Sequence, residues 1–322
     1  MKKITSFLIL FYTLSLLGSN YSIAFVHIGK NLPDYLEASL CQARLFNKEC
    51  PILLIANSEA LKNKSKTMDQ HKITYIVIEN LKRSKDHLFF QMASKLDRKW
   101  RDGFWNHTSE RFFYLSEAIE SLNLKNVFHM EYDNMLYVDL ESLLPIFMQY
   151  YPGMAIIMHN DDHCVPGFMY ISSHQPLQLL CSEMVRLAQK NKDDMSSLGT
   201  FKKRNPKNIV DSLPITIENY PRNHAVLSKD PSVFSNHLHL FNSVFDGAAF
   251  GQYLDGWDRI HGFEKSQPGA INPWCVFDAS FFPVEWHVDE EGRKVPYMTY
   301  QNQMYRINNL HIHSKNLQKF KS

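Results

Sequence analysis

The chain has 322 residues, 44% of them hydrophobic, 13% aromatic and 21% charged, which is enough apolar material for a full core and too many aromatics for a disordered chain. The formal net charge of +2 gives no case for nucleic acid, or for an anionic membrane, as the main partner. No G-x-x-x-x-G-K-[ST] string occurs, so the P-loop route to nucleotides is closed.

At the amino terminus Lys2 and Lys3 precede an apolar run from Ile4 to Leu17, followed by Gly18, Ser19 and Asn20. Basic, apolar and small residues in that order predict a signal peptide or signal anchor over 1–20. The run is shorter than the ~20 residues of a spanning helix, and a buried first helix is the other reading. The expected location is membrane-associated or exported through this segment, with association at a cytoplasmic face also open. Residues 21–322 are expected to form one domain. Five scattered cysteines (Cys41, Cys50, Cys164, Cys181, Cys275) show neither zinc spacing nor a disulfide framework and read as buried thiols. Glycosylation acceptor patterns such as those at Asn63 and Asn106 are expected by chance in a chain of this length.

From Tyr21 the pattern alternates between strand and helix. Ser22–Ile28 reads as a buried strand, and Leu36, Leu40 and Ala43 mark a helix face. Strands follow at Pro51–Ala56 and Ile73–Ile78, then helices around Leu88–Leu96 and Arg111–Leu122. A short apolar strand ends at Glu131, and Asp139 caps a helix running to Met148. Met154–Met158 and Gly167–Ile171 are further strands, and Leu177, Leu180, Cys181, Met184 and Leu187 mark another amphipathic helix. The polar, basic stretch Lys190–Asn208 is expected to be a surface excursion or mobile loop. Beyond it the pattern is irregular and aromatic, with a hairpin turn at Asp289–Gly292 between Val284–Val288 and Arg293–Tyr297. Strands alternating with helices predict an α/β fold with a mostly parallel sheet flanked by helices, followed by an irregular mixed carboxyl half.

Three constellations carry chemistry. In Phe128-His129-Met130-Glu131-Tyr132-Asp133-Asn134 two carboxylates stand two residues apart where a strand ends. On a strand they would share a face at the sheet edge where open α/β sheets bind ligands, and two hard oxygen ligands there suit a divalent cation bridging phosphates. Solvated charge is the plain alternative, as at Asp139-Leu140-Glu141. Near the carboxyl terminus, His311 and His313 alternate with Leu310 and Ile312, so a strand would put both imidazoles on one face. A neutral imidazole completes a divalent shell, and Lys315 supplies a point charge for phosphate; an ordinary surface pair is the alternative. Thirdly, Asp246 opens the small-residue run Phe245-Asp246-Gly247-Ala248-Ala249-Phe250-Gly251, and Asp255 lies in Leu254-Asp255-Gly256-Trp257-Asp258. Either carboxylate could take a proton from an acceptor hydroxyl, whereas a helix cap for Asp246 and a turn for Asp255 need less.

The order His27-Ile28-Gly29, F-H-M-E-Y-D-N, F-D-G-A-A-F-G-Q-Y-L-D-G-W-D and N-N-L-H-I-H-S-K-N-L resembles GT-A-type glycosyltransferases of a group seen in bacteria and large DNA viruses. The resemblance covers nearly everything after the leader. It implies a Rossmann-type GT-A sheet and a metal-dependent transfer of sugar from a nucleotide-diphosphate donor, with Mn²⁺ or Mg²⁺ as the ion. The acceptor would be a glycan or other hydroxyl compound, lipid-linked ones included. By position it implies Asp133 as metal ligand and Glu131 at the ribose or the metal, His311 or His313 as a further ligand, and Lys315 at the diphosphate. His27, Ile28 and Asn57 would hold the nucleoside, with Arg111 either assisting or serving as a structural ion-pair partner. The pattern departs from D-x-D in having Glu131 first. An exported carbohydrate-binding or host-interaction protein of the same fold, without turnover, is the reading from another class.

Overall fold

The computed structural model describes residues 19–62, 66–252, 254, 257–258, 263–264 and 274–322. The leader through residue 18, the acceptor pattern at Asn63 and the Asp255-Gly256 pair lie outside the described residues.

The strands in chain order are β1 (Ser22–His27), β2 (Ile52–Ala56), β3 (Ile73–Val77), β4 (Val127–Met130), β5 (Asn134–Leu136), β6 (Met154–Ile156), β7 (Phe168–Ile171), β8 (Val210–Ser212), β9 (Ser243–Val244), β10 (Trp257–Asp258), β11 (Phe263–Glu264), β12 (Val284–Val288), β13 (Lys294–Tyr300), β14 (Gln303–Ile307) and β15 (Asn309–His311). The helices that matter here are α1 (Leu36–Phe46), α2 (Lys85–Ala93), α3 (Phe104–Leu122), α4 (Leu140–Tyr150), α5 (His174–Ala188) and α6 (Asp194–Arg204).

Seven strands form the main sheet in the order β3-β2-β1-β4-β7-β6-β8. β7 alone runs against its neighbours, so the sheet is mostly parallel. Its central strands are buried along their whole length, from Ile23 to Val26 and from Ile52 to Ala56, as continuous β-rich apolar runs require when helices cover both faces. The chain winds outward from β1 through β2 to β3, then returns to pair β4 on the other side of β1. The strand order therefore switches between β1 and β4, and the crevice outside their carboxyl ends is the place where such sheets hold ligands. A smaller sheet, β12-β13-β14-β9, follows in the carboxyl half, and β15 pairs with β5. A contiguous apolar core runs from Tyr21 to Phe320 through both halves.

The strand and helix positions follow the hydrophobic pattern closely, including the hairpin between β12 and β13 and the Asp139 cap, whose carboxylate accepts from Glu141 N at 3.0 Å. One segment corrects the expectation. Lys190–Asn208 is no loose excursion, because α6 lies within it and packs Leu198 and Phe201 into the core. Asp193 caps it through Ser196 N at 2.8 Å, and Lys202, Lys203 and Arg204 fill its last turn, where the helix dipole favours cations. The basic run that suggests a solvated loop is the end of a helix. All five cysteines are free thiols; Cys41 is half-buried and the others are buried.

Candidate active site

The two acids of the mid-chain motif stand on a turn rather than on a pleated strand. β4 stops at Met130, Tyr132 and Asp133 form a turn, and β5 begins at Asn134, whose N–H donates to the Glu131 carbonyl at 3.1 Å. The expectation that Glu131 and Asp133 share a strand face is corrected on this point. They reach one site because the turn closes the carboxyl end of β4, next to the switch point.

The carboxyl-terminal segment then lies against that turn. β15 pairs antiparallel with β5, setting His311 opposite Asn134, and Ile312 N donates to the Asp133 carbonyl at 2.8 Å. His311 Nε2 sits 3.2 Å from Asp133 Oδ2 and 3.3 Å from Glu131 Oε2. Acids from mid-chain and an imidazole from the tail thus converge. Lys315 is held at a φ of 61°, in the left-handed region, and its ammonium bonds to the Asp133 carboxylate. A non-glycine residue persists in that conformation only where its surroundings hold it there. His313 lies beyond the strand, its ring edge-on to His311 with centroids 4.8 Å apart. It is outside the three-ligand group of Glu131, Asp133 and His311.

Two glycines let this approach happen. A Cβ on Gly167 would stand 2.7 Å from Asn134 Nδ2 and 3.0 Å from His311 Nδ1, and one on Gly251 would stand 2.3 Å from the His311 carbonyl oxygen. Asn309 ties the layer together, donating to Asn134 Oδ1 and to the Asp246 carbonyl, each at 2.9 Å.

Asp246 itself is a clamp. Its Oδ1 accepts from Ala249 N at 2.7 Å and Phe250 N at 2.9 Å, and its Oδ2 from Gly251 N at 2.8 Å and His311 N at 3.0 Å. Four backbone donors saturate a fully buried carboxylate, leaving no lone pair for an acceptor hydroxyl. The general-base role considered for Asp246 is corrected accordingly: it fixes the His311 strand. Asp255 is outside the described residues.

Arg111 extends the cluster inward from α3. Its guanidinium bonds to Glu131 and reaches Asp194 Oδ2 at 3.0 Å, so it bridges the site to the first turn of α6. Burial raises the Asp194 carboxyl to about 7, with Arg111 opposing the shift. Burial also pushes up on the two site acids, but the cations outweigh it: Lys315 and His311 hold Asp133 well below the usual range, and Arg111 leads in holding Glu131 down. His311 is raised because the two carboxylates overcome its burial.

On the other side of the crevice, His27 is buried at the end of β1, with its ring 5.6 Å from that of Tyr132. Tyr132 in turn lies 5.9 Å from Tyr35, whose ring is 5.8 Å from the Lys315 ammonium. Ile28 is half-buried beside His27. Asn57 works on the backbone, its Oδ1 accepting from Gly29 N at 2.9 Å while its Nδ2 donates to Glu79 at 3.1 Å.

The donor set fits a divalent cation. One imidazole nitrogen and two carboxylate oxygens lie within 4.8 Å of one another. The observed separations of 3.2 and 3.3 Å from Nε2 to the two oxygens match the ligand–ligand edge, about 3.1 Å, of an octahedron with bonds of about 2.2 Å. Spacing did not point to Asp194, Tyr35 or Asn309; only the fold brings them here.

No protein-family model matches the chain, and no curated protein matches it. Among solved structures it is similar to apo mouse xyloside xylosyltransferase 1, at 10% identity over 60% of this chain and 85% of that one, with a TM-score of 0.43. It is also similar to galactosyltransferase LgtC in complex with donor and acceptor sugar analogs, at 12% identity over 66% and 82%, with a TM-score of 0.42. A cytidylyltransferase from Leptospira borgpetersenii serovar Hardjo-bovis matches at 11% identity over 62% and 77%, with a TM-score of 0.39.

Proposed function

We propose that this protein is a metal-dependent glycosyltransferase that moves a sugar from a nucleotide-diphosphate donor to a hydroxyl acceptor. The observation that carries the reading is the convergence of Glu131, Asp133, His311 and Lys315 outside the β1/β4 switch point. Asp133 and His311 would hold Mn²⁺ or Mg²⁺, with Glu131 as third ligand or ribose contact. The ion, when bound, supplies charge stabilisation for the departing nucleoside diphosphate.

This chain's own residues do the rest. Arg111 fixes Glu131 from the protein side, so the carboxylate presents its other oxygen, Oε2, to the crevice. Lys315 stands beside Asp133 as a cation already placed for phosphate oxygens, where negative charge builds on the leaving group. Asp246 holds the His311 backbone and takes no proton. The ring shelf of His27, Tyr132 and Tyr35, with Ile28 and the Asn57-braced loop, is the proposed nucleoside side of the crevice. The acceptor is proposed to be a glycan or a lipid-linked hydroxyl compound. For location, we propose association with, or export across, a membrane through the amino-terminal segment. Among the described residues no helix is long and apolar enough to cross a membrane.

A panel of nucleotide sugars, incubated with and without Mn²⁺, tests the reading through the product. Nucleoside diphosphate released only with metal is the expected result. Pyrophosphate from a nucleoside triphosphate and a sugar phosphate would assign a nucleotidyltransferase instead. Metal-independent glycan binding without turnover in calorimetry would assign the carbohydrate-binding alternative.

A further inference from the structure

The outward face of α2 carries three large apolar side chains in little more than one turn. Leu88, Phe89 and Met92 are 46%, 46% and 77% exposed, while His87 and Phe90 on the inward face are buried. Met92 stands four residues after Leu88 and three after Phe89, so it neighbours both and joins them into one surface. Other exposed apolar side chains, such as Leu227, Val288 and Met304, stand on separate elements and need no explanation. The helix is anchored from behind by α3 and α5, so its outer face is not required for packing.

The charge around this face is as unevenly distributed as the apolar surface. Residues 82–102 hold seven Lys or Arg against three Asp, a net +4 in a chain whose total is +2, so the remainder is net −2. Lys82, Arg83 and Lys85 are exposed where α2 begins, and Lys95, Arg98, Lys99 and Arg101 are exposed beyond its end. Two of the three acids are turned to local work: Asp86 accepts from the Ser182 hydroxyl, and Asp97 accepts from Lys99 N at 2.7 Å and Trp100 N at 3.2 Å. Trp100, 40% exposed, stacks on Trp105 with centroids 5.6 Å apart.

We propose that the α2 face is a docking surface for an anionic phospholipid bilayer. Leu88, Phe89 and Met92 enter the boundary between headgroups and acyl chains, and the cations at both ends of the helix meet lipid phosphates. A nucleic acid would satisfy the cations but leave no reason for Met92 and Phe89 to face outward; a bilayer uses both. The small net charge of the whole chain hides this surface because the rest of the molecule offsets it. The segment leaves the sheet after β3, at the same carboxyl edge that carries Glu131 and Asp133.

Flotation of the full chain with vesicles tests this independently of any transferase activity. Wild-type protein is expected to bind vesicles of equal parts phosphatidylcholine and phosphatidylglycerol more tightly than vesicles of phosphatidylcholine alone, where the amino-terminal segment is the one insertion proposed. The Leu88→Asp, Phe89→Asp, Met92→Asp triple variant is expected to bind the anionic vesicles at least about tenfold more weakly, since all three apolar insertions are lost. Its far-UV circular dichroism should be unchanged, because all three side chains are exposed. Equal flotation of wild type and variant would overturn the proposal and place any membrane binding elsewhere, as would equal binding to neutral vesicles. Retention by single-stranded RNA with no flotation would overturn it in favour of a polyanion site.

Discussion

Among the described residues, two buried histidines each lie between two carboxylates, and one of the two belongs to the candidate site. His87, on α2, is fully buried, with Nδ1 2.9 Å from Glu117 Oε1 and Nε2 3.1 Å from Glu110 Oε1. Both ring edges face carboxylates, which outweigh burial and raise the ring's pKa, so the arrangement favours an imidazolium locked inside a helix layer. Its acids are closed off too: Gln91 Nε2 donates to Glu110 at 2.6 Å, and Ser84 N donates to Glu117 at 2.7 Å. His311 offers one nitrogen, Nε2, to both of its acids, which stand at the crevice outside β1 and β4. Those acids are paired with cations, Lys315 and Arg111, rather than with neutral amides. A buried histidine between acids therefore says little by itself. Its place on the sheet, and the kind of partner that completes the shell, separate a structural rivet from a ligand set.

The sharpest way to break that contrast is to remove one member from each cluster. Asp133→Ala is expected to reduce nucleoside-diphosphate release by about a hundred- to a thousandfold, the loss typical of deleting a preorganised group at a charge-developing centre. Its circular dichroism should remain that of the wild type. Turnover retained in this variant would end the transferase assignment. His87→Ala should act the other way round. It strands Glu110 and Glu117 as buried charges, at a cost of about 3–5 kcal/mol, seen as a lower urea midpoint, while turnover per folded molecule stays near wild type. A selective loss of turnover would merge the two clusters functionally and remove the distinction drawn between them.

The sequence made one of these regions far more readable than the other. The sheet, its helices and the β12–β13 hairpin follow from apolar periodicity and turn residues, because those signals are local. The Glu131 and Asp133 pair is legible in the sequence, but a turn joins the two acids, not a pleat. His311 and Lys315 could be nominated from alternation and resemblance, but their contact with Asp133 depends on β15 pairing with β5 across more than 170 residues of chain. Asp194 carries no local signal, because its partner Arg111 is 83 positions earlier and the basic residues of its helix read as a loop. Asp246 drew attention as a base because a sequence cannot count the four N–H groups that saturate it. His87 gave no signal, since Glu110 and Glu117 meet it only once α2 packs on α3.

A smaller effect sharpens the geometry of the open cluster. Gly167→Ala places a Cβ 2.7 Å from Asn134 Nδ2 and 3.0 Å from His311 Nδ1, so the imidazole must shift by a few tenths of an ångström. The expected result is a roughly tenfold weaker Mn²⁺ affinity, comparable to losing an orienting partner of a ligating histidine. Titration followed by electron paramagnetic resonance reads the affinity directly. Unchanged affinity would mean that the His311 ring does not need its present position to hold the ion.

The least of the four effects concerns acidity and comes from the closed cluster. Burial opposes protonation of His87, but Glu110 and Glu117 outweigh it and raise its pKa above 6.5. Its stabilising contribution is therefore complete below 6.5 and is lost as pH rises through the raised folded value. Glu110 is displaced in the opposite sense, down to about 2, by His107, His87 and Gln91 acting against burial. Its contribution is present above 4.5 and disappears as pH falls toward 2. Wild-type protein should thus lose part of its thermal stability on the alkaline side of 6.5. His87→Gln, which keeps a donor but cannot titrate, should start from a lower Tm and show a flatter profile across that range. Differential scanning calorimetry between pH 6 and pH 9 compares the two slopes. Parallel profiles would show that His87 carries no extra proton in the folded state, and the reading of it as a locked imidazolium would fall.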